Sequence, residues 1–275
     1  MSDSLEIKRI FEQQKSNLLD GLQKSGHPIA VLFGGQAACG KSALISKANE
    51  VFHGESFLNI DGDQYRVFHP QYDICIRDCY SFSEKTQICS NIFTQGLIQA
   101  AIANSLSTTI EGTLRTTETP LHTAQELRNG GFWVCVMAIA APCELTELGA
   151  LIRYAQEVRR KGFGRLVDLK SARLAFENMP KAIDTLYVKQ AVDEIFLYSR
   201  FANKLEKHYV LNNKRWNEDI MPSSVIHSSR NLQCQDKNEI AKIISLSEKL
   251  RSYIPSEVKP LFEEKLQIVK KLTDI

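Results

Sequence analysis

The stretch VLFGGQAACGKSALI, residues 31–45, passes from an apolar run into small residues, then to a lysine and a hydroxyl, and back to apolar residues. It contains the pattern G-x-x-x-x-G-K-[ST], in which Gly35 and Gly40 are the glycines and Lys41 and Ser42 follow. The apolar run before this pattern is typical of a buried strand, and the residues after it favour a helix. Together they predict the strand–loop–helix unit of the Walker A motif.

The loop of this unit is suited to binding a phosphate group. Small residues let the backbone wrap closely around an anion, and the amides at the start of the following helix point at its oxygens. Lys41 can reach the β- and γ-phosphates of ATP, and Ser42 can bind Mg²⁺. The alternative is a glycine-rich turn with a solvated lysine. The residues predicted to bind nucleotide are Gly35, Gln36, Ala37, Ala38, Cys39, Gly40, Lys41 and Ser42.

Composition places the chain among ordinary globular proteins. It has 275 residues, of which 43% are hydrophobic and 24% are charged, enough for one large α/β domain or two small ones. A formal net charge of +2 is too small to predict nucleic-acid or membrane binding by bulk attraction. The seven cysteines include no C-x-x-C pair, so neither a disulfide framework nor a zinc site is indicated.

Hydrophobic patterning predicts the organisation of the chain. An N-terminus without a signal-peptide pattern, and the lack of an apolar run near 18 residues, favour a cytoplasmic protein. Short strand-like runs alternate with helical patterns, as in a parallel sheet flanked by helices. The strand-like runs are 29–34, 57–61, 107–111, 133–140, 194–199 and 208–212. The helical patterns are 3–24, 41–52, 83–105, 119–129, 144–160 and 168–189.

These runs predict one P-loop kinase-like α/β core over residues 1–212, including the N-terminal helix. Residues 213–232 are polar and rich in turn formers, and we expect them to form a loop. Residues 233–275 have an amphipathic helical pattern, which predicts a C-terminal appendage packed on the core.

Two aspartates follow the second predicted strand. Asp61 and Asp63 lie two residues apart, so they share one face of an extended segment at the carboxyl edge of the sheet, where ligands bind in open α/β folds. A carboxylate there could hold Mg²⁺ through water or act as a base toward an acceptor hydroxyl. Arg66 follows within reach of the same cleft. A turn-capping role is the alternative for Asp63.

A second polar group follows the third predicted strand. Because side chains alternate along a strand, Glu111, Thr113 and Arg115 are expected to project to one side at the same edge. An acceptor, a hydroxyl and a guanidinium suit a substrate that carries hydroxyls and an anionic group. An ordinary polar surface loop is the alternative.

A basic segment covers part of the fifth predicted helix and the loop after it. Its cations, Arg153, Arg159, Arg160, Lys161 and Arg165, exceed what a solvated helix needs. Phosphoryl transfer spreads negative charge over three oxygens, and arginines supplied by a lid could stabilise it. Spacing does not select which of them point inward.

With these motifs in view, the sequence resembles the zeta toxin family, the kinase components of epsilon–zeta-type toxin–antitoxin modules. The resemblance runs from about residue 30 to residue 200. It is carried by GGQAACGKS, IDGDQYRVFHPQY, IEGTLRTTETPLHTAQELRNGGF and LIRY followed by a basic loop, in family order. The two middle motifs are more specific than a Walker A loop, which occurs in many unrelated proteins.

The resemblance implies an ATP- and Mg²⁺-dependent kinase that phosphorylates the 3′-hydroxyl of the sugar of UDP-N-acetylglucosamine and so blocks peptidoglycan synthesis. It implies that Asp63 is the base, that Lys41 and Ser42 hold ATP and Mg²⁺, and that Arg153 is the first phosphate-binding arginine. We assign the second to Arg165, with Arg159, Arg160 and Lys161 as alternatives. The implied substrate contacts are Arg66, Gln95, Glu111, Thr113, Arg115 and Thr123.

Two positions differ from the family pattern. The family usually has an additional glycine in the phosphate loop, and often an acidic residue where Gln95 stands. The resemblance also implies a small helical antitoxin that covers the ATP cleft, to which the N-terminal helix could contribute a docking surface. Two other functions fit the ATP motifs: a kinase of a different acceptor, such as another nucleotide sugar, a dinucleotide or an antibiotic, and a non-enzymatic NTP-binding switch.

Overall fold

The computed structural model describes residues 3–78, 80–200 and 204–273. Its strands are β1 (Ile29–Gly34), β2 (Leu58–Ile60), β3 (Thr108–Glu111), β4 (Trp133–Ala140), β5 (Glu194–Ser199), β6 (Leu205–Asn212) and β7 (Arg215–Trp216). Its longer helices are α1 (Asp3–Leu19), α2 (Ser42–Val51), α5 (Gln87–Asn104), α6 (Glu118–Asn129), α7 (Cys143–Lys161), α8 (Leu169–Val188), α9 (Pro222–Gln233), α10 (Lys237–Leu250) and α11 (Lys259–Lys271). Two short helices, α3 (Tyr72–Cys75) and α4 (Phe82–Lys85), and 3₁₀ turns at Gln64–Phe68 and Arg251–Tyr253 complete the list.

The strands form one mixed sheet in the order β2-β3-β1-β4-β5-β6-β7. Strands β1 to β5 are parallel, with Val31 of β1 opposite Thr109 of β3 on one side and Cys135 of β4 on the other. The predicted α/β fold with a central sheet flanked by helices is therefore confirmed. Because the first five strands are parallel, the carboxyl ends of β1, β2 and β3 meet at one edge of the sheet, which holds the phosphate loop.

The last two strands depart from the predicted parallel pattern. Strand β6 runs antiparallel to β5, and β7 runs antiparallel to β6. Only residues 200–204 separate β5 from β6, and so short a connection cannot carry the crossover that a parallel neighbour needs.

The N-terminal helix α1 packs on α5. Ile7 and Phe11 are buried, and a side chain at Gly96 of α5 would overlap the ring of Phe11, so the glycine permits the close approach. This helix lies on the β2 side of the sheet and contributes to the main hydrophobic core. No helix within the described residues combines the length and the apolar character needed to cross a membrane.

The C-terminal region corrects one expectation. Residues 213–232, predicted as a loop, contain β7 and most of α9. Pro222 opens α9 at a position where a missing amide costs nothing, and Ile226 is fully buried against the main core. The polar composition of the segment hid this apolar contact. Helices α10 and α11 pack on α7 in a separate hydrophobic cluster.

Candidate active site

The phosphate loop lies between the end of β1 and the start of α2. Lys41 Nζ donates hydrogen bonds to the carbonyl oxygens of Gly35 at 2.8 Å and Gln36 at 3.2 Å, so its ammonium group lies across the loop. The side-chain nitrogen Nε2 of Gln36 donates to Ala141 O at 2.9 Å and to Thr146 Oγ1 at 3.2 Å, which ties the loop to the end of β4 and the start of α7. The loop is therefore anchored on both sides of the sheet edge.

The backbone of this loop explains its small residues. Gly40 has φ +104° and Ala38 has φ +59°, both in the left-handed region that favours glycine. Ala38 thus adopts a conformation that residues with a side chain rarely take. A side chain at Gly35 would overlap Cys39 Sγ, which is buried, and burial raises the pKa of the Cys39 thiol. Cys39 therefore fills space as a neutral thiol.

The residues of the loop fit the terminal phosphates of a nucleotide. The loop is made of small residues, an ammonium group lies at its mouth, and the exposed Ser42 hydroxyl stands at the first residue of α2. A hydroxyl at this place suits a hard cation such as Mg²⁺ that also binds phosphate oxygens. Among the described residues, no cluster of three or more histidine, cysteine, aspartate or glutamate side chains is arranged to hold a metal ion by itself.

Asp63 lies just after β2, where the chain turns into the 3₁₀ helix. The amide of Asp63 donates to Asp61 Oδ1 at 3.0 Å, so Asp61 shapes this turn. Asp63 itself pairs with two guanidinium groups, Arg66 at 2.9 Å and Arg165 at 2.6 Å. Burial acts to raise the pKa of the Asp63 carboxyl, but Arg165 and Arg66 outweigh it and hold that pKa below its usual value.

Arg66 lies beneath Asp63 rather than in the open cleft. Its side chain is 7% exposed and donates to Ser83 O, Thr86 Oγ1 and Gln87 Oε1 as well as to Asp63. Arg66 was predicted to contact the substrate, and Thr86 and Gln87 were not predicted to take part in the site. No local pattern marks these two residues, because their importance comes only from the folding of α5 against the 3₁₀ helix.

Glu111 at the end of β3 has a carboxyl group whose pKa is influenced by several charged residues of the site. Burial raises its pKa most, the carboxylates of Asp61 and Asp63 raise it further, and Lys41 and Arg153 oppose them. The phosphate-loop lysine, the aspartates after β2 and the first arginine of α7 therefore act on one place at the sheet edge.

The predicted alternation past Glu111 does not continue as a strand. Strand β3 ends at Glu111, and Leu114 turns inward with φ +51° and is buried. The carbonyl of Arg115 accepts a hydrogen bond from Asn178 Nδ2 of α8 at 3.0 Å. Thr123 lies on α6 and Gln95 on an exposed face of α5. Across the described residues, no hydrogen bond or ion pair joins Thr113, Arg115, Thr123 or Gln95 to Asp63.

The basic segment is divided by the structure. Helix α7 ends at Gly162 with φ +81°, and Gly164 passes so close to Tyr154 that a side chain would collide with its backbone oxygen. Glu157 then accepts a hydrogen bond from the Arg165 amide at 2.8 Å, which aims the Arg165 side chain at Asp63. Arg159 instead lies 5.5 Å from the ring of Tyr253.

The remaining members of the segment take other positions. Arg153 is half-buried on α7, whereas Arg160 and Lys161 are exposed. Within the described chain, Arg165 is the only one of the alternatives paired with Asp63. Glu157, which positions it, was not predicted, since a glutamate eight residues before an arginine has no local meaning in sequence.

A phosphate loop between β1 and α2, at the carboxyl edge of a mostly parallel sheet, defines a P-loop protein of the α/β class. The family profile described as Zeta toxin matches residues 15–215. The chain belongs to the zeta toxin family.

Two curated relatives are similar in sequence. Toxin PezT of Streptococcus pneumoniae serotype 4 is 34% identical over 152 residues, which is 55% of this chain and 60% of the relative. Toxin zeta of Enterococcus hirae is 29% identical over 203 residues, covering 71% of this chain and 70% of the relative. The chain thus spans less than two thirds of the length of PezT.

Two solved structures share the fold. A chain from the PezAT chromosomal toxin–antitoxin system of Streptococcus pneumoniae superposes with a TM-score of 0.70 at 23% identity, covering 100% of this chain and 98% of that chain. A chain from the AvrRxo1-ORF1:-ORF2 structure with ATP gives a TM-score of 0.54 at 14% identity, covering 99% of this chain and 90% of that chain. At these identities the likeness concerns the fold.

Proposed function

We propose that this chain is a kinase that transfers the γ-phosphoryl group of ATP to a hydroxyl group of a nucleotide sugar. The observation that carries this proposal is that the phosphate loop with Lys41 lies at the same edge of the sheet as Asp63, which pairs with Arg165 at 2.6 Å. A phosphate-loop lysine, a carboxylate and an arginine at one edge match the requirements of phosphoryl transfer, which depends on positioning and charge stabilisation.

The positions of these residues support the following roles. Lys41 would hold the β- and γ-phosphates, and Ser42 would bind the Mg²⁺ that neutralises phosphate charge. Asp63 would accept the proton of the acceptor hydroxyl. Arg153 and Arg165 would meet the negative charge that develops on the transferred group.

For the acceptor we propose the 3′-hydroxyl of the sugar in UDP-N-acetylglucosamine, which would make the chain a cytoplasmic toxin that blocks peptidoglycan synthesis. Membership of the zeta toxin family supports this acceptor. Glu111, Thr113, Arg115, Thr123 and Gln95 are its proposed contacts. Arg66 is removed from this group, because four of its five N–H donors already bond within the protein.

We also propose a small helical antitoxin as partner, covering the ATP cleft. The support is that a chain of similar fold belongs to the PezAT toxin–antitoxin system.

The test incubates the protein with ATP, Mg²⁺ and a panel of nucleotide sugars, dinucleotides and aminoglycosides, and measures product masses. A gain of one phosphate on UDP-N-acetylglucosamine is expected. A phosphate gained by a different compound would support kinase activity and identify that compound as the acceptor. Nucleotide binding with no phosphorylated product in any reaction would contradict the kinase and favour a switch.

Lys41→Ala is expected to lower phosphoryl transfer by about 10²–10³ or more, because the charge facing the γ-phosphate is lost. The melting temperature should stay the same, since the ammonium group bonds only to two loop carbonyls. Lys47→Ala is the matched control and should keep its activity, because Lys47 lies on α2 and pairs with Glu50. Undiminished transfer in Lys41→Ala would contradict the proposed nucleotide site.

Arg153→Ala is expected to lower kcat by about 10²–10³ while changing KM little, because the charge that the guanidinium meets grows during transfer. Steady-state kinetics for both substrates provide the measurement. Arg159→Ala is the control, since Arg159 lies against Tyr253 and away from the cleft. An effect of Arg153→Ala on KM alone would make Arg153 a binding residue instead.

A further inference from the structure

The two carboxylate oxygens of Asp63 have different partners. Oδ1 accepts a hydrogen bond from Arg66 Nε at 2.9 Å, and Oδ2 pairs with a terminal nitrogen of Arg165 at 2.6 Å. Arg66 comes from the same 3₁₀ turn as Asp63, whereas Arg165 reaches across from the loop after α7. The carboxylate is thus bound by one guanidinium group that is close in sequence and by another from a distant loop.

Arg66 is fixed by the protein. One terminal nitrogen donates to Ser83 O at 2.7 Å and to Thr86 Oγ1 at 2.9 Å, and the other donates to Gln87 Oε1 at 3.0 Å. Thr86, which is fully buried, in turn donates to Phe82 O at 2.7 Å. Withdrawing the guanidinium from Asp63 would break these bonds in a buried site, so Arg66 stays in place.

Arg165 is held less completely. Its main chain is anchored by Glu157, but its side chain is 28% exposed and makes one ion pair, to Asp63. Its Nε is buried and has no hydrogen-bond partner among the described residues. When an incoming phosphate takes the guanidinium of Arg165, the ion pair to Asp63 is therefore broken, but no network like that of Arg66 is lost.

We propose that Arg66 is a positioning residue that permanently holds Oδ1 of Asp63, and that Oδ2, which Arg165 covers in the ligand-free protein, is the oxygen that accepts the acceptor's proton. This inference rests on the proposed kinase function. When Arg165 turns to the γ-phosphate, Oδ2 becomes free. The acceptor oxygen then forms its bond to phosphorus, the bond from phosphorus to the β–γ bridging oxygen breaks, ADP leaves, and the hydroxyl proton passes to Oδ2.

The assignment explains why a carboxylate with a lowered pKa can serve as a base. Opposite charges within a few ångströms lower the pKa of a carboxyl group, so the departure of Arg165 toward phosphate raises the pKa of Asp63 again. Asp63 also has charged neighbours, among them Asp61 after β2 and Glu111 at the end of β3. Asp63 lines a cavity of about 280 Å³, and Glu157 and Lys161 line the same cavity. These neighbours remain in every variant used below.

The test compares the pH dependence of kcat in the wild type, Arg66→Lys and Thr86→Val. Lysine keeps the charge but cannot reproduce the planar donor set. We expect the acidic limb of the profile to move to higher pH by about one unit in Arg66→Lys, and by less in Thr86→Val, which removes one support of Arg66 and keeps the shape. Arg77→Lys, an exposed arginine on the same segment, should leave the profile unchanged.

A uniform loss of kcat at every pH, with the acidic limb unmoved, would overturn the positioning role and leave Arg66 as a packing residue. Carbon-13 NMR titration of Asp63 in the ligand-free protein is independent of activity. It should give higher pKa values for Asp63 in both Arg66→Lys and Arg165→Gln than in the wild type. If the wild type phosphorylates nothing, the proposed function fails, while this titration still decides whether Arg66 controls Asp63.

A separate NMR measurement tests whether Arg165 moves on nucleotide binding while Arg66 stays in place. On addition of a non-hydrolysable ATP analogue with Mg²⁺, the side-chain nitrogen-15 signals of Arg165 should shift while those of Arg66 stay in place. A shift of Arg66 with Arg165 unchanged would reverse the two roles and contradict the assignment of Oδ2.

Discussion

Asp63→Asn is expected to transfer phosphate slower than the wild type by roughly 10²–10⁴, which corresponds to about 3–5 kcal/mol of barrier. Asparagine keeps the shape of the side chain and removes its basicity. Nucleotide binding should be retained, because the phosphate loop does not touch Asp63 through any hydrogen bond in the described chain. Single-turnover rates and nucleotide affinities measured on the same preparations provide the test.

Asp61→Asn is the matched control for this experiment. Asp61 accepts a hydrogen bond from the Asp63 amide, and asparagine can accept the same bond. Most activity should therefore remain. If Asp61→Asn is the inactive variant and Asp63→Asn is active, the base is Asp61. If Asp63→Asn loses Mg²⁺-dependent ATP binding, the carboxylate serves the metal ion and transfer proceeds without a dedicated base, as a loose transition state allows.

Glu147→Gln is expected to lower the free energy of unfolding by about 3 kcal/mol, near the lower end of the range for breaking a buried ion pair. Glu147 of α7 is 3% exposed and pairs with Arg173 of α8 at 2.8 Å and with Lys265 of α11 at 3.1 Å. Glutamine leaves Lys265 buried with less compensation. The loss stays moderate because Arg173 can turn to solvent and Lys265 keeps Glu264 at 3.0 Å. Urea denaturation measures the change.

The control for this stability prediction is Glu248→Gln. Glu248 also pairs with two cations, Lys270 and Arg251, but all three side chains are between 38% and 48% exposed. Solvent screening reduces the contribution of such exposed ion pairs to the free energy of unfolding to about 1 kcal/mol or less. Equal losses in the two variants would mean that burial does not decide the strength of the cluster that joins α11 to the core.

Parts of the fold that depend on neighbours in sequence were predicted. The phosphate loop, its strand and its helix came from one motif, because small residues, a lysine and a hydroxyl act together only when they are adjacent. The strands β1, β3, β4 and β5 lie within a residue of their predicted bounds, since buried parallel strands are continuous apolar runs. The α9 helix was missed because only one of its apolar residues, Ile226, is fully buried in the main core.

The site shows the same division. By itself the sequence determined the chemical groups available: a phosphate loop, an aspartate after β2, a glutamate at the end of β3, and a basic segment in α7 and the loop after it. Only the tertiary structure decided which groups meet. It paired Arg165 with Asp63, turned Arg159 toward Tyr253, and placed Arg66 beneath the carboxylate on Thr86 and Gln87. The physical reason is that a hydrogen bond or ion pair acts over a few ångströms, whereas these partners come from separate elements whose approach depends on the packing of α5 and α7.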